Sequence, residues 1–355
     1  MKAVVTTGEK RGIIVEDIPK PQVQPGTLLL KTKCCSICGT DLEYLDGSFE
    51  FLPKGSGKLH AGAILGHEFA AEVAEVGEGV EGWSVSDRVT LGELRRGCGQ
   101  CWFCQRGLPS LCLGIAGIRS LHAIEFKPGG YGNRFGAMAE YFVRPPTYFQ
   151  KVPDSVSDEE AALVEPLSNG VGAAKAAELK PGDTAVVIGA GKIGLGAMLC
   201  AKAAGATPVI VIDVVKSRLD KALEMGADAV INANEVDVIS EVVKLTEAGP
   251  DAVLICVREG KVLNQAVDMV RRGGIIVLVG FVEPMEVNPS LWVWKQLRLI
   301  AIFSGFSPLA TSMRLIANKQ VNVKPLISAI MPLEDAQKAF DSMYSGENIV
   351  VLLKP

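Results

Sequence analysis

Four cysteines lie within one short stretch of the sequence, GCGQCWFCQRGLPSLC, which covers residues 97–112. Cys98, Cys101, Cys104 and Cys112 follow the spacing C-x2-C-x2-C-x7-C, with glycines and a proline to form the turns. Four thiolates can surround a zinc ion as a tetrahedron with Zn–S distances of about 2.3 Å. Thiolates three residues apart are too close for unstrained disulfides with one another. The spacing also permits an iron–sulfur cluster or free thiols, but it favours a structural zinc, which leaves no position for a substrate.

A second set of residues has the chemistry of a zinc site with an open position. Cys38 lies in CCSICGTDLEYLDG, His67 and Glu68 lie in GHEF, and Glu165 lies in LVEPLSNG. A catalytic zinc keeps three protein ligands of the Cys, His or carboxylate type and binds water or substrate in the fourth position. Taken alone, the cysteine is a small buried hydrophobe and the histidine a structural residue. The combination predicts a catalytic zinc on Cys38, His67 and Glu68, with Glu165 as a fourth ligand or as a group that contacts one of the ligands.

A glycine-rich turn follows a short apolar run in DTAVVIGAGKIGLGAMLCAKAAGA. The run predicts a strand over Thr184–Ile188, and the residues after the glycines predict a helix that ends at about Ala204. Between them, G-x-G-x-x-G places Gly189, Gly191 and Gly194 where a dinucleotide pyrophosphate could approach the backbone at a helix amino terminus. Lys192 and Ile193 belong to the same turn.

The next strand, PVIVIDV, ends at Asp213, nineteen residues after Gly194. A carboxylate at this position would bond the ribose hydroxyls and repel a 2′-phosphate, so the sequence predicts NAD in preference to NADP. Lys216 and Arg218 follow closely and weaken that preference, and we count Arg218 among the cofactor-binding residues. The alternative is that Asp213 only begins a surface turn.

Two kinds of segment must position these residues. Beyond about residue 157, apolar runs such as VIVI and IIVLV alternate with helical segments, which predicts an α/β domain with a parallel, doubly wound sheet covered on both faces. Before it, short strands such as TLLLKTK and EFAAEVAEV with many turn residues predict a β-rich domain.

Composition excludes several classes of function. The 355 residues are 48% hydrophobic with a net charge of −4, so the chain lacks the excess of basic residues that is typical of nucleic-acid binding. Neither a membrane span nor a secretory signal is readable, so a cytoplasmic protein is expected. Nine cysteines in a reducing compartment favour metal or catalytic roles. The expected partner is a small-molecule substrate.

The order CxxCGTD, GHE, four cysteines, EPL and a glycine-rich turn resembles the zinc-dependent medium-chain alcohol dehydrogenase family, in its polyol and 2,3-butanediol dehydrogenase branch. The resemblance runs over the whole chain. It implies a GroES-like catalytic domain from residues 1–157 and 297–355, a Rossmann domain at 158–296, one catalytic and one structural zinc, and a homo-oligomer, with a tetramer favoured over a dimer. It also implies that Glu165 binds the catalytic zinc directly or through water. The family often has a histidine shortly after GTD as the outer step of a proton relay, where this chain has Glu43 or a deletion.

These residues predict an oxidoreductase. Zinc lowers the pKa of a bound hydroxyl, and hydride leaves an alkoxide far more readily than an alcohol. Thr40 would pass the proton outward, unless it is only a turn-forming hydroxyl. The expected substrates are secondary alcohols and vicinal diols, followed by polyols and sugars, including a glucose or other sugar dehydrogenase activity. The alternatives are an inactive, nucleotide-binding zinc protein, which would not require the open zinc set, and a zinc-independent enoyl or quinone reductase, which would not need Cys38, His67 and Glu68.

Overall fold

A computed structural model describes residues 1–47, 61–92, 100–106, 136–302 and 308–355. The chain divides into two compact units. The first unit comprises Met1–Val164 and Ile327–Pro355, and the second unit comprises Glu165–Leu326. Within these described ranges, no helix combines the length and the apolar character that crossing a membrane requires.

The first unit is rich in β-structure. Its strands are β1 (Lys2–Thr6), β2 (Ile13–Asp17), β3 (Leu28–Ser36), β4 (Glu68–Val76), β5 (Arg88–Leu91), β6 (Tyr141–Arg144), β7 (Phe149–Lys151), β14 (Ile327–Pro332) and β15 (Val350–Lys354). Its helices are α1 (Gly39–Asp46), α2 (Asp158–Ala162) and α10 (Ala336–Tyr344). A seven-stranded sheet runs in the order β14-β15-β3-β4-β5-β7, with β6 paired to β3, and β1 and β2 form a separate hairpin.

The sheet of the first unit packs around aromatic side chains. Phe69 and Phe142 are buried and meet edge to face, with ring centroids 5.0 Å apart, and Phe149 lies 6.1 Å from Phe69. Edge-to-face contacts of this kind are the favoured geometry for aromatic pairs. The core therefore holds β4, which carries Phe69 directly after two of the candidate zinc ligands, in a fixed position.

The second unit is a doubly wound α/β unit. Its strands are β8 (Ala185–Ile188), β9 (Val209–Asp213), β10 (Ala229–Asn232), β11 (Ala252–Ile255), β12 (Ile275–Val279) and β13 (Arg298–Ile302). Its helices are α3 (Val164–Ala176), α4 (Lys192–Ala203), α5 (Lys216–Glu224), α6 (Val238–Thr246), α7 (Val262–Met269), α8 (Pro289–Lys295) and α9 (Leu309–Ala317). The six strands are parallel in the order β10-β9-β8-β11-β12-β13, so the direction of winding reverses between β8 and β11. The predicted α/β fold class is confirmed.

The compact units do not divide where the sequence placed the domain boundaries, at 157 and 297. The parallel sheet continues past residue 297, because β13 pairs with β12 from Arg298 to Ile302. The helix α9 and the chain up to Leu326 also belong to the second unit, which leaves β14, α10 and β15 to return to the first.

Candidate active site and cofactor-binding turn

Three of the predicted zinc ligands come together in the first unit. One donor atom from each of Cys38, His67 and Glu68 lies within 4.8 Å of the other two. The antiparallel register of β3 and β4 is the cause, because it pairs Ser36 with Glu68. Cys38 follows the end of β3 and His67 precedes the start of β4, so the ends of the two strands bring both side chains to the same edge of the sheet.

Local backbone geometry directs the two loops toward each other. Cys38 is the extended residue that begins α1, with φ −94° and ψ 152°. Gly66 precedes His67 with φ 99°, and a Cβ there would lie 2.5 Å from Cys35 Sγ. Only glycine fits a position that combines a positive φ with so close an approach. The chain can therefore turn tightly over the buried Cys35 and present His67 beside Cys38.

A residue that the sequence reasoning missed lies behind the cluster. Asp41 is fully buried, and its Oδ2 accepts a hydrogen bond from the backbone N–H of Cys38 at 2.9 Å. Its other oxygen, Oδ1, lies 3.9 Å from Nδ1 of His67. The two atoms are too far apart for a hydrogen bond. A carboxylate beside the ring of a histidine ligand is nevertheless typical of zinc sites, where such a group can orient the ring. The bond from Asp41 to Cys38 could have been found from its spacing, since an acidic residue three positions after the residue that precedes a helix commonly bonds back to it, but its place beside His67 could not.

The cluster fits a zinc ion. A thiol, an imidazole and a carboxylate are the donor types that zinc prefers, and three protein ligands are typical of catalytic sites. The His67 side chain is 11% exposed and Glu68 is fully buried, so a bound cation would be largely shielded from solvent. Cys38 lies at the amino terminus of α1, where the helix dipole favours the thiolate. Among the residues that the structure describes, this is the one group of three such side chains with this proximity.

The remaining predicted residues of this site lie on two helices. Thr40 and Glu43 are three positions apart on α1, so they share one face of the helix, and both are half-buried. Glu165 lies in the first turn of α3, in the second unit, and is 6% exposed. Its contact with a zinc ion remains a prediction.

Half of the four-cysteine motif lies in the described part of the chain. Cys101 Sγ and Cys104 Sγ are 3.5 Å apart, on a turn in which Gln105 N–H bonds to the carbonyl of Cys101. Two sulfurs bound to one tetrahedral zinc would be separated by about 3.8 Å, so this pair fits the predicted site. Cys98 and Cys112 lie outside the described residues.

The glycine turn has the geometry that its spacing predicts. Gly189 follows β8 with φ 103°, and Gly191 immediately precedes α4. A Cβ on Gly194 would lie 1.7 Å from the carbonyl oxygen of Gly189, so only glycine allows the helix to start this close to the strand. Lys192 is 9% exposed and Ile193 half-buried, both in the first turn of α4. This turn lies at the carboxyl edge of the sheet beside the reversal between β8 and β11, where ligands bind in such folds.

Asp213 ends β9 and joins that strand to the glycine turn. Its Oδ2 accepts the N–H of Ala190 at 2.6 Å, and its Oδ1 accepts those of Val214 and Val215 at 2.7 and 2.9 Å. Arg218 lies in the first turn of α5, and its buried Nε has no hydrogen-bond partner within the described residues. Lys216 is exposed and pairs with the carboxylate of Asp220 at 3.0 Å.

Two families of known proteins match this chain. Residues 24–154 match the alcohol dehydrogenase GroES-like domain, and residues 193–318 match the zinc-binding dehydrogenase family. These two segments contain Cys38, His67 and Glu68 and most of the second unit.

Individual relatives give the same assignment. The chain is 36% identical over 246 residues to the sorbitol dehydrogenase of Bacillus subtilis (strain 168), an alignment that covers 69% of this chain and 65% of that protein. It is 37% identical over 259 residues to the L-threonine 3-dehydrogenase of Pyrococcus horikoshii, covering 72% and 68% of the two chains.

Solved structures extend the similarity over the whole chain. The 2R,3R-butanediol dehydrogenase of Bacillus subtilis has a TM-score of 0.84 at 29% identity, and the match covers 100% of this chain and 99% of that one. A zinc-binding dehydrogenase of Sinorhizobium meliloti 1021, solved bound to NADP, has a TM-score of 0.86 at 28% identity with the same coverage. The chain therefore belongs to the zinc-dependent medium-chain alcohol dehydrogenase family. The predicted family and the predicted class, a zinc-dependent oxidoreductase that uses a nicotinamide cofactor, are confirmed.

Proposed function

We propose that the protein oxidises secondary alcohols, vicinal diols or polyols to the corresponding carbonyl compounds with NAD, and catalyses the reverse reduction. The observation that supports this most directly is the convergence of Cys38, His67 and Glu68 within 4.8 Å. The sorbitol and butanediol dehydrogenases among its relatives favour polyols and diols as substrates.

Cys38, His67 and Glu68 would hold the catalytic zinc, with Glu165 as a further group. When bound, zinc supplies Lewis acidity that lowers the pKa of an alcohol hydroxyl toward neutrality. With a thiolate, a carboxylate and a neutral imidazole the site is formally neutral, which moderates this acidity. The four cysteines Cys98, Cys101, Cys104 and Cys112 would hold a second, structural zinc, so two zinc ions per chain are expected.

The protein residues around this cluster handle the proton. The Thr40 hydroxyl takes the proton from the substrate hydroxyl and passes it outward, and Glu43, on the same face of α1, is a candidate to receive it. Asp41 holds the backbone of Cys38 through a hydrogen bond and places its second carboxylate oxygen beside the ring of His67. The role of these residues is to fix the donor and acceptor positions before the reaction begins.

The glycine turn would bind the cofactor. Gly189, Gly191, Lys192, Ile193 and Gly194 would receive the pyrophosphate at the amino terminus of α4. Asp213 and Arg218 would contact the adenosine ribose. NAD, which accepts a hydride at its nicotinamide ring, is favoured over NADP because the buried carboxylate of Asp213 would repel a 2′-phosphate.

The edge of the parallel sheet supports the expected homo-oligomer. Within the described part of the second unit β13 is an edge strand, and Leu299 on it is 39% exposed. Val293 and Trp294, on the helix before it, are 77% and 61% exposed. An exposed edge with apolar side chains invites pairing with a second copy. A tetramer is favoured over a dimer, and a reducing, cytoplasmic location fits the metal-binding role expected for the cysteines.

A panel of substrates tests the function. Secondary alcohols, vicinal diols, polyols and sugars would be offered with NAD and with NADP, with the reduced cofactor followed at 340 nm and metal measured on the same sample. We expect turnover of a diol or polyol with NAD, about two zinc ions per chain, and loss of activity in a chelator. Binding of zinc and NAD without turnover of any of these compounds would contradict the proposal and favour the inactive, nucleotide-binding alternative.

A further inference from the structure

The helix that carries Thr40 is too short to hold itself in place. α1 has eight residues, about two turns, and isolated helices of this length are unstable in water. Its carboxyl end is held by two backbone hydrogen bonds: Gly47 N–H donates to the carbonyl of Glu43, and Arg11 N–H donates to that of Leu45 at 2.7 Å. The second of these comes from the hairpin between β1 and β2.

A side chain from the far end of the sequence holds the middle of the same helix. The hydroxyl of Tyr344, the last residue of α10, donates a hydrogen bond to the carbonyl of Leu42 at 2.9 Å. Leu42 lies between Thr40 and Glu43. The tyrosine therefore fixes α1 at the turn that carries the proposed proton relay.

Arg11 holds the tyrosine ring in turn. Its guanidinium lies 4.1 Å from the ring centroid, and its Nη2 is 3.9 Å from Asp46 Oδ2. Burial, followed by the nearby charge of Asp46, raises the pKa of Tyr344 to about 12. The phenol thus keeps its proton, and remains a donor to Leu42, throughout the pH range in which the protein would work.

We infer that Tyr344 is a positioning residue for Thr40, acting through its hydrogen bond to the Leu42 carbonyl and supported by Arg11. The role rests on the proposed function, because Thr40 has a proton to move only in a working dehydrogenase. Proton transfer is sensitive to small displacements of the donor, and a misplacement of about 1 Å can cost about 100-fold in rate. Beside the buried side chains of Asp41, Tyr44 and Leu45, the tyrosine hydrogen bond is one of the contacts that fix this two-turn helix, so we expect its loss to loosen the position of Thr40.

The test compares Tyr344→Phe with Thr40→Val and with the double variant. Tyr344→Phe keeps the ring against Arg11 and removes only the hydroxyl. We expect the single-turnover rate of NADH formation to fall about 10-fold, with the KM for the alcohol, the Kd for NAD and the zinc content unchanged. If the tyrosine acts through Thr40, the double variant will be no slower than Thr40→Val alone.

Tyr141→Phe is the matched control. Tyr141 also carries a cation over its ring, Lys20 at 4.0 Å, but it lies on β6 and not beside α1. This variant should react at the wild-type rate. Arg11→Asn is a second test if Tyr344→Phe does not fold, because asparagine tolerates the φ of 58° at this position while the guanidinium is lost. Arg11→Asn should slow single turnover less than Tyr344→Phe does. When it is combined with Thr40→Val, it should cause no further loss of rate.

Two results would overturn the inference. One is a wild-type single-turnover rate in Tyr344→Phe, and the other is a rate loss that adds fully to that of Thr40→Val. Failure of the proposed function would look different, since Thr40→Val and changes in the zinc cluster would then leave the rate of NADH formation unchanged, or no alcohol would react at all.

Discussion

The cluster of Cys38, His67 and Glu68 in the first unit and the glycine turn of the second are built in opposite ways. The cluster uses three side chains, Cys38, His67 and Glu68, from two segments that are brought together by the pairing of β3 with β4. The turn uses the backbone of one continuous segment, residues 189–194, and requires that Gly189 and Gly194 have no side chain. The cluster depends on which donor atoms are present. The turn depends on how closely its backbone can approach neighbouring backbone and a bound cofactor.

This difference predicts different responses to mutation. Removing a ligand from the cluster removes chemistry and leaves the fold, because the sheet that holds the ligands is packed independently around Phe69, Phe142 and Phe149. Adding one methyl group to the turn displaces backbone and weakens cofactor binding without touching a reacting atom. The expected effects below are ordered from the largest to the smallest.

Cys38→Ala should have the largest effect. Loss of the thiolate leaves two protein ligands, so we expect turnover to fall by a factor of about 1,000 or more, while the Kd for NAD changes less than about two-fold. Steady-state kinetics, metal analysis and nucleotide titration measure the three quantities.

Cys200→Ala is its control, because Cys200 is a buried core residue of α4 and burial raises the pKa of its thiol. It should keep its activity and its zinc. Full turnover by Cys38→Ala in a sample verified to lack zinc would exclude the proposed chemistry.

The two regions also differ in how far the sequence predicts them. The apolar runs and glycines of the second unit are local signals, and the predicted strand over Thr184–Ile188 differs from β8 by a single residue. The convergence of Cys38 with His67 depends on the register of β3 and β4, which shifts at Leu29/Leu30 and at Thr32/Cys34. No local pattern encodes such shifts, so the donor types predict a zinc ligand set, but local sequence cannot show that these residues converge.

Two further features could not be read from local sequence for the same physical reason. RLIAI is recognisable as a strand, but nothing within it says that it adds to the edge of the parallel sheet as β13. Asp41 looks like an ordinary acidic residue in the first turn of a helix, and its place behind His67 depends on the tertiary contact between two loops. Local sequence therefore does not tell which distant segments pair with or contact each other.

Gly194→Ala tests the backbone side of the comparison. Its Cβ would lie 1.7 Å from the carbonyl oxygen of Gly189, so the start of α4 must move and we expect affinity for NAD to fall about 100-fold. Calorimetric titration with NAD measures the loss, and zinc content should not change.

Gly191→Ala is the matched control in the same turn. It has φ −78°, and an added Cβ meets no atom within 4 Å, so this variant should keep the wild-type Tm. If the pyrophosphate approaches this backbone, its affinity for NAD will still fall. Wild-type NAD binding by both variants would show that the cofactor does not use this turn.

Asp213→Asn should have an intermediate effect. The carboxylate accepts three backbone N–H groups, one of them from Ala190 in the glycine turn, and an amide nitrogen cannot accept. We expect the Kd for NAD to rise about 10-fold and the Kd for NADP to change less, because the repulsion of the 2′-phosphate is also lost.

Asp228→Asn controls for damage to β9. Asp228 accepts the N–H of Val209 at 2.7 Å, at the opposite end of the same strand from Asp213. It should lower Tm with an unchanged ratio of the two dissociation constants. An unchanged NAD to NADP ratio in Asp213→Asn as well would count against the ribose contact and leave Asp213 as a brace for the turn.

Lys295→Met should have the smallest effect, one on stability alone. Its Nζ donates to the carbonyls of Val267, Asp268 and Val270 at 2.8, 2.7 and 2.9 Å, and so satisfies the end of α7. Methionine keeps the volume but leaves these carbonyls to solvent, at a cost of about 1–3 kcal/mol in the free energy of unfolding. Thermal melting measures it, with Lys244→Met, an exposed lysine on α6, as a control that should barely move Tm. Because Lys295 contributes neither to the cluster nor to the turn, kcat and the Kd for NAD should stay at wild-type values. A change in either would mean that the two sites depend on the stability of the surrounding fold.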